Sequence, residues 1–239
     1  MAQRIIVWDL ATRIFHWSLV TSFFGAYLSA DSDYRVLHVM FGYTILGLIG
    51  FRLLWGFVGP RYSRFKDFVR GPLAIFRYLK SLLSKHPEHY VGHNPAGAVA
   101  IVLLLLLGTL VCASGLLSYD ERWEDALKRF HALLSNCMLV IVFVHIVAAI
   151  ASGFLHHENL VLSMITGWKE GEAGQSIPGK RPWAGLVLAV AIVSFWVLAL
   201  PATPFQSEAG SGNDRVAEEA VVAGKAAKPV AMSSKSERL

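Results

Sequence analysis

RFHALLSNCMLVIVFVHIVAAIASGFLHH, residues 129–157, is the stretch whose reading decides the fold. It stays apolar for about 25 residues, enough to cross a bilayer as one helix. His131 and His145 interrupt it, fourteen residues apart. At about 100° per residue that interval is about 1400°, within about 40° of four whole turns, so both imidazoles share one helix face. Along the axis they stand about 21 Å apart. An ionisable side chain inside a membrane helix is costly against lipid and marks a functional position by default. Two on one stripe, one toward each side, suggest two ligand positions stacked across the bilayer. The other reading has each histidine hydrogen-bonding a neighbouring helix, and this stretch alone leaves both open.

The rest of the chain has the composition such a helix needs around it. It has 239 residues, is 54% hydrophobic and has a mean hydropathy of +0.48, too apolar for an ordinary soluble domain. Apolar runs at about 14–30, 36–58, 96–117 and 130–155 predict an all-α membrane protein built on a four-helix transmembrane bundle, residues 1–170. A linker leads to a fifth transmembrane helix from Trp183 to Leu200, the two together covering 171–201. The tail, 202–239, has too little apolar content to fold alone and is expected to be disordered. Residues 1–13 read as a short amphipathic lead-in. The N-terminus does not read as a cleavable signal, because its first apolar run contains His16 and lacks a clear small-residue cleavage site. After Gly71-Pro72, LAIFRYLKSLL reads as a surface amphipathic helix at the headgroups. Cys112 and Cys137 lie in apolar runs and read as small buried hydrophobes. No CxxCH occurs, so covalent c-type haem attachment is not expected.

The net charge of +5 is a topology signal, with no nucleic-acid partner implied. Its basic excess sits in the N-terminus, the 60–95 loop and the 156–182 segment; the turns at 31–35 and 118–129 lack it. The positive-inside rule therefore predicts a cytoplasmic N-terminus in a multi-pass inner-membrane protein. The acidic turns (Asp31, Asp33, Asp120, Glu121, Glu124, Asp125) then face outward, as ordinary solvated loops or as a dock for a basic cytochrome.

On that topology the histidines fall into two levels. His38 and His131 lie near the outer side, His16 and His145 near the inner, and each level draws on two helices. Bis-imidazole ligation of haem iron requires this: one neutral nitrogen on each side of a porphyrin slotted between helices. Zinc or copper more often takes three or four ligands clustered within a few ångströms. The pairs are thus His16 with His145 and His38 with His131, as axial ligands, or else satisfied core histidines. Arg52, fourteen residues after His38, and Arg13, one turn before His16, reach the inner level. They suit haem propionates or a quinone headgroup, or they snorkel to the interface. Gly42 and Gly115 leave room for a macrocycle or for close helix packing. Trp17 and Trp55 read as interfacial belt aromatics. His86, His89 and His93 read as solvated loop residues. His156 and His157 cap the inner end of the fourth helix or exchange protons near a quinone site.

Seven segments in order carry a resemblance: VWDLATRIFHW (7–17), LHVMFGY (37–43), FRLLWGFVGPR (51–61), HNPAGA (93–98), FHALLSN (130–136), VHIVAAI (144–150) and HHENLVLSMITGWK (156–169). Over about residues 4–170 the chain resembles the bacterial cytochrome b561 family, in the branch that contains the b-type cytochrome subunit of nickel–iron hydrogenase. The family's four axial histidines match His16, His38, His131 and His145. The chain has ATR where the family often has PTR, a change that only alters how the helix start is pre-set. The resemblance implies a four-helix bundle with two non-covalent b-type haems. It also implies electron transfer between quinone (ubiquinone or menaquinone) and a redox partner, a c-type cytochrome or a hydrogenase-like protein. Such a chain is an electron-transfer subunit or a quinol:acceptor oxidoreductase. Homo-oligomerisation stays open. The alternatives are an outer-face reductase of superoxide or ferric ion using the same haems, and a cofactor-free transporter whose histidines relay protons.

Overall fold

A computed structural model of the chain describes residues 3–84, 87–118 and 124–199. The expected tail at 202–239, His86 and the acidic positions Asp120 and Glu121 lie outside the described residues. Met1–Trp196 form one compact unit; of the second, Val197–Leu239, only the last turn of a helix is described.

The protein is an all-α membrane bundle. Its long helices are α1 (Leu10–Leu28), α2 (Arg35–Val58), α5 (Pro95–Leu117), α6 (Glu124–Leu155) and α8 (Pro182–Ala199). Between them lie the short helices α3 (Phe65–Phe68), α4 (Pro72–Ser81) and α7 (Leu160–Thr166), and a two-stranded antiparallel ribbon of β1 (Gln3–Ile6) and β2 (Trp168–Gly171). Among the described residues, four helices are long and apolar enough to cross a membrane: Ser32–Val58, Pro95–Leu117, Asp125–Leu155 and Pro182–Ala199. Their outward faces carry large apolar side chains such as Leu54, Phe57, Leu106, Phe143 and Val193, which lipid covers.

α1 is 19 residues long, about 28 Å. Arg13 and His16 keep it below the hydropathy of the other four. It packs along α2, where Phe15 meets Leu48. Close backbone packing then runs from α2 to α5 and from α5 to α6. α6 is not closed against α1 or α2 in this way. Only 6% of its apolar window is buried within the chain, against 33% for α2. α8 sits on the other side of α1 and α2: Ala184 packs with Ala11 and Trp55, and Trp196 Nε1 donates to Thr44 Oγ1 at 3.1 Å.

The amphipathic lead-in expected over residues 1–13 is corrected. Residues 3–6 pair with 168–171 as a ribbon, and α1 already begins at Leu10. The physical reason is Gly167. It ends α7 in the left-handed conformation (φ 87°), which glycine tolerates and other residues rarely do. The Gly167 carbonyl accepts from Val7 N (2.9 Å) and Trp8 N (3.2 Å), fixing the chain start against the chain end of the bundle. A Cβ on Gly167 would stand 2.7 Å from the Trp8 carbonyl oxygen.

The three basic segments meet at this same end. Ile177 N donates to Ile6 O (2.9 Å), Tyr62 Oη to Gln175 O (2.7 Å) and Lys169 Nζ to Val91 O (3.0 Å). They form a polar cap over one mouth of the bundle. Cys137 faces outward from α6 and Cys112 is half-buried, so neither is the fully enclosed side chain expected.

Candidate functional site

The two histidine levels differ in how their rings are held. At the level away from the cap, the His38 and His131 ring centroids are 5.9 Å apart and their planes are inclined by 79°. His38 Nδ1 donates to the Ala26 carbonyl at 2.8 Å. His131 Nδ1 donates to the Val111 carbonyl at 3.0 Å and lies 3.1 Å from Ser114 Oγ. A carbonyl can only accept, so each neutral ring carries its proton on Nδ1. The Nε2 lone pair of each is left as a ligand, the arrangement metal-bound histidines usually have. Two imidazoles sharing one metal along an axis have centroids about 6.3 Å apart, from metal–nitrogen bonds of about 2.0–2.1 Å. The pair stands within half an ångström of that.

The backbone leaves space there. Gly115 sits against the His131 ring, where a Cβ would come within 3.2 Å of Cε1 and 3.3 Å of Nδ1. Gly42, one turn after His38, has no atom within 4 Å of where its Cβ would stand. The open α6 face and the Gly42 gap fit a flat macrocycle between α1–α2 and α6. Tyr27 of α1 reaches across to Asn136 of α6, Oη to Oδ1 at 3.1 Å.

At the cap level His16 and His145 are near enough to interact electrostatically. His16 Nδ1 is buried with no hydrogen-bond partner, an orphan atom where a ligand would give it purpose. Among the described residues no three His, Cys, Asp or Glu side chains converge as a metal cluster, so the histidines stand in pairs.

The structure gives both arginines protein contacts rather than free heads. Arg52 is 4% exposed; its Nη1 donates to the Ser63 carbonyl at 2.9 Å, and its guanidinium lies over Phe65 and Phe68. Simple snorkelling does not describe it. Arg13 Nη2 donates to the Ile165 carbonyl, capping the end of α7, while its Nε is buried without a partner.

Three residues matter more than the sequence reading allowed. Asp9 is fully buried and accepts from Trp55 Nε1 (3.1 Å), Ser63 Oγ (3.4 Å) and Thr12 Oγ1. Burial pushes its carboxyl above the usual range, against the pull of those donors. It is also the electrostatic partner of Arg52. Trp55 is therefore no belt aromatic: it is 6% exposed and engaged with Asp9. His93 is not a solvated loop residue. Its ring lies between Trp8 (4.7 Å) and Phe68 (4.9 Å), and its Nδ1 is buried without a partner. Burial pushes it down to about 3, reinforced by the charge of Arg52, so it is neutral at pH 7. The signal was present in HNPAGA. Asn94 caps α5 by accepting from Gly97 N at 2.7 Å with Pro95 following, so His93 is pinned at a helix start.

His89 and His156 form a second cluster at the cap. Their ring centroids are 5.4 Å apart, and His89 Nε2 lies 2.8 Å from Glu158 Oε1. Glu158 Oε2 also pairs with Lys169 Nζ at 2.6 Å.

Comparison with known proteins gives the family and its relatives. The family described as prokaryotic cytochrome b561 matches residues 7–167. The chain is 26% identical over 214 residues to a probable Ni/Fe-hydrogenase B-type cytochrome subunit of Azotobacter vinelandii, covering 69% of this chain and 88% of that protein. A protein of the same description from Rhizobium leguminosarum bv. viciae is 26% identical over 213 residues, with coverage of 69% and 88%. The probable Ni/Fe-hydrogenase 1 B-type cytochrome subunit of Escherichia coli (strain K12) is 23% identical over 217 residues, with coverage of 71% and 92%. No solved structure matches the chain.

Proposed function

The chain belongs to the prokaryotic cytochrome b561 family, and from that premise we propose that it is a two-haem cytochrome passing electrons between the quinone pool and a nickel–iron hydrogenase-like partner. That it is a multi-pass bacterial membrane protein of b-type cytochrome character follows from the family and the four apolar helices. The two-haem count, the quinone and the named partner are the parts proposed. When bound, haem supplies reversible one-electron transfer.

The observation that carries the reading is the His38–His131 pair, two imidazoles 5.9 Å apart with both Nδ1 atoms committed to acceptors. On this reading His38 and His131 hold the outer haem and His16 and His145 the inner one. The carbonyls of Ala26 and Val111 orient the outer ligands and raise their basicity. Arg52 and Arg13 supply positive charge at the inner level, suited to propionates. Asp9, through Ser63, holds Arg52 in place. The cap carries the basic excess, so it faces the cytoplasm and the His38–His131 level faces the periplasm. The partner then docks at the periplasmic mouth, and the relatives named as hydrogenase subunits make a Ni/Fe hydrogenase the first to test.

The test is direct. Protein purified in detergent should give a reduced b-type α-band and two haems per chain by pyridine haemochrome, and anaerobic duroquinol should reduce the haem. A colourless protein sinks the reading. One haem per chain removes the pairing, and haem indifferent to duroquinol removes the quinone.

A further inference from the structure

The cap contains a cavity that the haem reading leaves unused. It measures about 270 Å³, and its walls include Arg61, Tyr62, Asp67, Arg70, His89 and Tyr90. That is near the lower end of small-molecule sites, room for a headgroup but not for acyl chains. Arg61 is stacked over Tyr62 (5.6 Å to the ring centroid) and Arg70 over Tyr90 (4.8 Å). Cation–π contact of this kind fixes a guanidinium without neutralising it.

The carboxylates around the cavity are already engaged. Asp67 pairs with Arg64 at 2.6 Å. Glu88 pairs with Arg77 at 3.1 Å and accepts from Tyr90 Oη at 2.7 Å. Glu158 is shared by His89 and Lys169. Among the described residues, then, no carboxylate pairs with either of the two forked cations that line the cavity. Guanidinium geometry matches phosphate, which it can bind through paired hydrogen bonds.

Depth argues for the source of that phosphate. Arg61 follows Gly59-Pro60 at the end of α2, just beyond Phe57 and Val58, which are 74% and 66% exposed on a membrane-crossing helix. Arg70 lies just before α4, whose Leu73, Phe76 and Leu79 are exposed while Arg77 and Lys80 share the same helix. Such an amphipathic helix lies at the headgroup–acyl boundary. Two independent elements thus put the arginines at headgroup depth.

We propose that this cavity is a phosphate-group site, filled in the membrane by the headgroup of an anionic phospholipid held between Arg61 and Arg70. Basic pockets at the cytoplasmic side of helix bundles bind such headgroups. The site is independent of haem ligation. Occupied, it would supply the missing counter-charge and join the end of α2 to the start of α4.

The test uses the full chain in detergent micelles doped with phosphatidylglycerol or phosphatidylcholine, with retained lipid read by native mass spectrometry. Wild type should retain phosphatidylglycerol over phosphatidylcholine. The double variant Arg61→Gln/Arg70→Gln should lose that retention by roughly thirtyfold, the effect of two interfacial cations. The double Arg→Lys variant keeps the charge but loses the fork, so it should fall between; it decides the matter if the glutamine variant misfolds. Equal retention in wild type and both variants overturns the site. Displacement by an equal concentration of inorganic phosphate overturns the lipid assignment, and displacement by decylubiquinone shows a quinone pocket instead.

Discussion

The two histidine levels, outer and inner on the proposed orientation, are built by different means. The outer pair is prepared by the helices themselves: Ala26 and Val111 carbonyls fix both rings, and Gly115 lets His131 lie against α5. Among the described residues, the inner pair shows no such ring-to-carbonyl hydrogen bonds. His16 Nδ1 is orphaned, and the hydrogen bonds at that end of the bundle lie in the cap, among Asp9, Ser63, Arg52 and the ribbon tied to Gly167. The contrast teaches that one site can be made by helix geometry alone, while the other depends on contacts between residues far apart in sequence. On the proposed reading the outer site is pre-organised and the inner one relies on the cap.

The largest effect that could break this comparison is loss of a ligand. His131→Ala and His38→Ala should each cut the haem content from two per chain to one. Both should remove the same component from a redox titration. His16→Ala and His145→Ala should remove the other. If His38→Ala and His131→Ala delete different components, the two-level pairing is wrong.

Next in size is the cap. Asp9→Ala leaves the Trp55 N–H buried without its acceptor and removes the negative charge that faces the buried Arg52 guanidinium. An unsatisfied buried group costs about 1–3 kcal/mol. At about 2 kcal/mol, a chain of this size loses about 4–8 °C in unfolding temperature. Asp9→Asn keeps an acceptor oxygen and should lose less. In thermal melts of the holoprotein followed by absorbance, Asp9→Ala should release the inner haem first while the outer band persists. Simultaneous loss of both would mean that the cap does not serve one level more than the other.

Sequence alone made the helices and the histidine pattern legible, because both depend on local periodicity. His131 and His145 share a face by counting, and hydropathy marks α2, α5, α6 and α8. α1 is harder to read, since Arg13 and His16 lower its hydropathy while α2 and α8 cover it. The cap was not legible. β1 pairs with β2 across some 165 residues, and a four-residue strand carries almost no periodic signal. Asp9 before α1 looks like an ordinary cap residue; that it accepts from Trp55 depends on where α2 ends. His93 sits in a polar loop by composition, yet the Asn94-Pro95 cap pins it against Trp8 and Phe68. Loop histidines are solvated when nothing folds over them, and here residues 3–8 do. Arg13 shares this cause: its acceptor, the Ile165 carbonyl, belongs to a helix end 152 residues away.

The smallest expected effect is also the most selective. Ser114 Oγ lies 3.1 Å from His131 Nδ1 and donates to the Val111 carbonyl at 2.9 Å. Ser114→Ala removes the hydroxyl but leaves Val111 O as the acceptor at 3.0 Å. His131 keeps its orientation and loses only part of the hydrogen bonding that gives its ring anionic character. A less basic ligand stabilises ferric iron less, so the outer midpoint potential should rise. Because the main acceptor stays, the shift should be on the order of 10–30 mV, about half or less of the 59 mV that a tenfold change in a one-electron equilibrium represents. The inner potential should not move, since His145 lies about 21 Å away along α6 and His16 is on another helix. An equal shift in both potentials would show that the two levels are coupled through the protein, and the division into a helix-built site and a cap-held site would fail.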